Sequence, residues 1–159
     1  MPAQRKNNIE FEAAYGLFIM GTEVGKADGE LDEKEVRELL SQGAQAAAHS
    51  KSKLVREAGR LLVQFDEFRE YREKDSRDHA SVLRALKKLL DKQPESDRLR
   101  YLGYFIQVGI SVAKASGGGW FSADRVADEE KVAVVLCYRL VAGTLDVDTI
   151  AAWIDKHGN

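Results

Sequence analysis

Chain breakers and cross-links are scarce in this 159-residue sequence. Its two prolines are Pro2 and Pro94, so no residue between them lacks a backbone N–H and helices can run without interruption. The single cysteine, Cys137, cannot close an internal disulfide or build a cysteine zinc set. It sits in the apolar run Val132–Cys137, where a thiol is an inert core group. The three histidines, His49, His79 and His157, are far apart, and none has the helical spacing that puts two metal ligands on one face. No apolar stretch approaches the roughly 20 residues that span a bilayer. The first eight residues are polar, with no signal-peptide core, and the expectation is a cytoplasmic chain without membrane insertion. A formal charge of −2 supplies no basic field for nucleic acid.

What remains is 44% hydrophobic and 31% charged, the balance of an ordinary globular domain. A chain this long buries about 70% of its unfolded surface without cross-links. Apolar residues recur at helical spacing almost everywhere. Phe11, Ala14, Phe18, Gly21 and Val24 line a helix over about 9–27, and Val36, Leu39, Leu40, Gly43 and Ala47 one over about 33–48. Leu54, Ala58, Leu61, Phe65 and Phe68 predict a third over about 51–73, and Val82, Leu86, Leu89 and Leu90 a fourth over about 79–92. Beyond Pro94, Ser96 offers a cap for a fifth helix carrying Leu99, Leu102, Phe105, Ile106, Gly109 and Val112. Val132, Val135, Leu136 and Leu140 mark a sixth that stops at Gly143, and Asp146 caps a last one with Val147, Ile150, Ala151 and Ile154. No segment alternates with the period of a strand, so the fold class is all-α.

Shifted by 88 residues, the sequence repeats itself: GTEVGKADG from Gly21 lies over GISVAKASG from Gly109, in the common pattern GxxVxKAxG. After seven inserted residues in the second copy, Leu31, Glu33 and Glu35 fall over Val126, Asp128 and Glu130. This predicts a duplicated αα-hairpin, with one repeat over about 9–73 and the other over about 97–157 of a single domain. The residues before it (1–8) are expected to be loosely ordered. A glycine inside a helix invites a close helix crossing, and Gly21 and Gly109 are predicted to mark two of them.

The first copy's turn, KADGELDEKE from Lys26, is the most informative segment. From Glu23 to Glu38 there are seven carboxylates against three cations. Two readings explain them. In one, Asp32 is a helix N-cap, Glu35 its capping-box partner, and Asp28-Gly29 the stop of the preceding helix. In the other, Asp28, Asp32 and Glu35 converge with Glu30 on a hard divalent cation, with Gly29 at the bend. The spacing does not match a twelve-residue EF-hand. Asp28 separates the readings, because capping has no use for it.

These acidic segments, ADGELDEKE and the matching KASGG and ADEEK, resemble the TerB tellurite-resistance family, whose domain type also occurs in some membrane-anchored DnaJ-like co-chaperones. The resemblance implies a compact array of seven to eight helices with pseudo-twofold symmetry. It implies a bacterial stress-response role through partner proteins, membrane-associated ones included, and a divalent cation, for which about three carboxylates on a short loop make calcium the first candidate. The family's first acidic motif falls on Asp28, Gly29 and Glu35, and its second on Gly117 and Glu130. Ser116 stands where the family usually has Asp, followed by an insertion, so Asp124 and Asp128 would have to join Glu130 in a second, weaker site.

Gly117-Gly118-Gly119 lacks the lysine and hydroxyl of a phosphate loop. Trp120 and Phe121 beside it either cover the core or stand out as an anchor for a partner. Asp75, Asp78 and His79 read as a solvated helix cap. No nucleophile, base and orienting group can be assembled, so no residue is assigned a catalytic role. The expected function is a non-enzymatic module that binds proteins and a divalent cation. The rival is a helical scaffold whose acidic turns only cap helices.

Overall fold

Asn8 starts the first helix. Its Oδ1 accepts the backbone N–H groups of Glu10 (2.9 Å) and Phe11 (3.1 Å), which α1 (Ile9–Ala27) cannot satisfy within itself. The computed structural model describes residues 8–27, 31–116 and 128–159, and for Ala27, Ser116 and Asp128 the backbone alone. Ala13, Ala14, Tyr15, Leu17, Ile19 and Met20 leave α1 with no polar side through its middle, and all six are fully buried. A helix apolar all round has to be central, and α1 packs against α3 (Lys53–Leu62), α5 (His79–Leu90), α6 (Glu95–Ser116) and α7 (Asp128–Ala142).

The long helix α6 is a second spine, with Tyr101, Leu102, Phe105, Val108, Val112 and Ala113 fully buried. It lies against α1, α2 (Glu33–His49), α7 and α8 (Val147–His157). Buried phenols tie it to its neighbours, because a hydroxyl taken out of water needs a partner. Tyr101 donates to the Ala13 carbonyl (2.6 Å) and Tyr104 to that of Gln42 (2.8 Å). Together with α4 (Phe65–Lys74) the described residues hold eight helices and no strand, an all-α fold. None of these helices is long and apolar enough to cross a membrane.

Most predicted boundaries hold, for the reasons the sequence offered. Asp32, Asp78 and Asp146 each accept an early backbone N–H of the helix they precede, and so does Ser52, a cap the sequence reading did not name. Gly143 takes a φ of +68° directly after α7, a conformation that costs side-chain-bearing residues energy. Ser96 is not the cap of α6: the helix starts at Glu95, and the Pro94 carbonyl takes the Arg98 N–H at 3.0 Å.

The third predicted helix is two helices. The chain breaks at Gln64 (φ −85°, ψ 52°), although no proline or glycine stands there. Residues 54–62 bury Leu54, Val55, Ala58 and Leu62 under α1 and α2. After the break, Phe65, Phe68 and Tyr71 face α1 instead. Phe68 stacks on Phe11 (5.1 Å between ring centres), Phe65 lies 5.1 Å from Phe18, and Tyr71 meets Tyr15 edge-on at 4.8 Å. Each such pair contributes about 0.5–1.5 kcal/mol beyond its buried area, which offsets the lost helical turn.

Glycines set the closest approaches. A Cβ on Gly59 of α3 would stand 2.5 Å from the Gly43 carbonyl oxygen of α2, so these backbones touch. At Gly21 it would meet Leu39 of α2 (3.2 Å), and at Gly109 Met20 (2.9 Å) and Val134 of α7 (3.0 Å). The predicted crossing is present at Gly109, where α6 lies against α1 and α7, whereas the notch at Gly21 is filled by the Leu39 side chain without a close approach of the two helices. The helix after each hairpin's turn packs on the long helix of the other hairpin, α2 on α6 and α7 on α1, as a two-fold axis would arrange them. The duplication itself is not confirmed, since the two hairpins differ: α7 also packs squarely on α6 while α1 and α2 barely touch.

Candidate functional site

The turn between α1 and α2 is positioned from both sides. Gly25, in the last turns of α1, leaves room for the returning chain: a Cβ there would stand 2.8 Å from the Leu31 Cα. Asp32 then caps α2, its Oδ1 accepting the Glu35 N–H while Glu35 Oε1 accepts the Asp32 N–H, both at 2.9 Å. The predicted capping box is thus complete. The other proposed ligands of this turn, Asp28 and Glu30, lie outside the described residues, as does Gly29.

Glu35 is the third residue of α2 and only 1% exposed; Glu130 is the third residue of α7 and also 1% exposed. Each precedes by four positions the side chain that fills a glycine notch, Leu39 at Gly21 and Val134 at Gly109. A carboxylate buried this deeply costs several kcal/mol unless charge or hydrogen bonds compensate. A helix N-terminus supplies part of that compensation. Around Glu130, the side chains of Asp124 and Asp128 fall outside the described residues, and so do Trp120 and Phe121. Among the described residues no group of three or more His, Cys, Asp or Glu side chains could hold a metal ion.

A fit to a cation can be tested on Asp32 and Glu35. Carboxylate oxygens serve both helix capping and hard-cation ligation, so the two chemistries draw on the same residue types here.

A buried charged cluster lies elsewhere among the described residues and escaped the sequence reading. Arg77, in the loop between α4 and α5, reaches Asp75 Oδ2 (2.8 Å) and Glu12 Oε1 of α1 (3.5 Å). Tyr15 donates to Asp75 (3.1 Å) and accepts from Arg72 (3.0 Å). The side chains of Glu12 and Asp75 are 0% and 1% exposed. Burial opposes the charge on Asp75, yet the hydrogen bonds from Arg77 outweigh it and hold the carboxyl below its ordinary range. Arg77 is held above its own, first by its bond to Asp75. The arrangement is a clasp from this loop to the first turn of α1. Its sequence signal was Glu12, a carboxylate directly before an apolar run. Asp78 is an exposed cap as expected, but Asp75 belongs to the clasp and His79 Nδ1 contacts Glu23 of α1.

Cys137 is 4% exposed, and burial, with the Glu23 carboxylate adding to it, pushes its thiol up to about 12, so the inert-thiol reading stands. A cavity of about 170 Å³ opens between α2 and α6, lined by Gln42, His49, Arg100 and Tyr104. The Arg100 guanidinium in its lining is engaged with the His157 and Gly158 carbonyls and the Trp153 ring. No protein-family model, curated protein or solved structure matches this chain.

Proposed function

We propose that this chain is a non-enzymatic stress-response module of the tellurite-resistance type, acting through partner proteins and holding a divalent cation at the turn between α1 and α2. The observation that carries this reading is the pair of buried glutamates. Glu35 and Glu130 occupy the same position of two helices, each directly after an acidic turn, and both are 1% exposed. The same residue at the same place after two corresponding segments points to chemistry the two share, and a hard cation ligated by oxygen is the simplest such chemistry. At the first turn Asp28, Glu30, Asp32 and Glu35 are the donors, with calcium the first candidate.

A second reading is favoured by the complete capping box, since Asp32 and Glu35 already serve the backbone of α2. On that reading the turns are caps and the domain is a scaffold for other proteins. Calorimetric titration of metal-stripped protein separates the two. The cation reading expects saturable heat with at least one of calcium, magnesium, manganese or zinc. At 100 times the dissociation constant it expects about 2.7 kcal/mol of added stability, and Asp28→Asn abolishes both. No heat and no melting shift with any of the four removes the cation and leaves the scaffold.

A further inference from the structure

The inner face of α7 is accounted for: Glu130, Val134, Cys137, Tyr138 and Val141 are all at most 7% exposed. The opposite face is not. At 100° per residue Val132, Val135, Leu136 and Arg139 share one stripe pointing away from the core. The three apolar members are 55%, 46% and 56% exposed. Single exposed apolar residues are normal, but three contiguous ones on two turns of a helix mark a contact surface. Exposed Glu129 and Arg139 close the stripe at its two ends, about 15 Å apart along the axis.

We propose that this face of α7 binds a second copy of the chain, with the two α7 helices antiparallel about a two-fold axis near Val134. Charge order selects the occupant and its direction. Antiparallel pairing sets Glu129 of each copy against Arg139 of the other and Val132 against Leu136; parallel pairing would set like charges together. Glu129 and Arg139 also suit the dipole of α7 itself, so the charges alone would mean little. The solvent-facing valines and leucine between them are what the dipole leaves unexplained. An interface made of the same patch on both copies is the commonest form of oligomer. Two helical turns bury less than the roughly 800 Å² per partner of a standard interface, so the dimer is weak and concentration-dependent.

Sedimentation velocity of the full chain from about 5 µM to about 1 mM tests this, over the range where a weak dimer would assemble. The expected result is a species of twice the 17.7 kDa monomer mass that grows with concentration. Leu136→Lys, Glu129→Arg and Arg139→Glu should each weaken self-association by about tenfold or more. The double reversal Glu129→Arg with Arg139→Glu should restore it, which a general loss of folding could not do. Val147→Lys, at an equally exposed apolar position on α8, should change nothing. A monomer throughout the range overturns the proposal, as that face would then be covered by another protein or by the chain itself. So does a double reversal that fails to restore the dimer, or a dimer lost with Val147→Lys.

Discussion

Replacing Arg77 by methionine keeps the volume of the side chain and removes its charge from between two buried carboxylates. The side chains of Glu12 and Asp75 are 0% and 1% exposed, and the Arg77 side chain reaching both is 22% exposed, so solvent screens this group little. Breaking a buried ion pair by deleting one partner costs about 3–5 kcal/mol. A domain of this size melts about 2–4 °C lower for each kcal/mol lost, which places the variant about 6–20 °C below the wild type. The loss should also depend on pH. In the wild type the Asp75 carboxyl is held below its ordinary value of 3.8, so its contribution is fully present above that value and disappears as pH falls through the folded one. Without the Arg77 side chain less opposes burial, so the Asp75 carboxyl of the variant lies above that of the wild type and takes up a proton at higher pH, which recovers stability relative to the wild type. The gap between the proteins should therefore narrow from pH 7 toward about pH 4. Urea titrations at several pH values read both effects. A loss under about 1 kcal/mol at pH 7, the value of an exposed pair, or a gap that ignores pH, would refute the clasp.

Two further outcomes follow from packing. Gly59→Ala places a methyl 2.5 Å from the Gly43 carbonyl, a backbone atom that cannot swing away. It should lower stability by about 1–2 kcal/mol, despite the helix propensity that alanine adds. Gly21→Ala meets only the Leu39 side chain at 3.2 Å and should melt no lower than the wild type. For Cys137, labelling by a thiol-specific disulfide reagent at pH 8 should be slow in native protein and fast in denaturant. Rapid labelling of the native state would contradict a thiol that burial pushes up to about 12.

The caps and the class of fold were legible because they depend on neighbours in sequence. Asp32 with Glu35, Asp78, Asp146 and the stop at Gly143 are all local chemistry, and each works as a chain of a few residues would make it work. Helical spacing of apolar residues placed α1 within a residue of both ends. The glycine at 109 could be read as a crossing because a helix keeps glycine only for a reason.

Other features were invisible because they are agreements between distant residues. The break at Gln64 has no local cause; it exists because rings on α4 find Phe11, Tyr15 and Phe18 of α1. Arg77 and Glu12 are 65 positions apart in the chain, and only folding makes them a pair. The matched burial of Glu35 and Glu130 is likewise a product of α2 packing on α6 and α7 on α1. Sequence by itself determined most of the helices and several of their caps, since hydrogen-bond geometry and periodicity act over a few residues. Which carboxylates lose their water, and which apolar face of α7 keeps it, was decided only by the tertiary structure. Burial is a property of what lies across a contact, not of what lies along the chain.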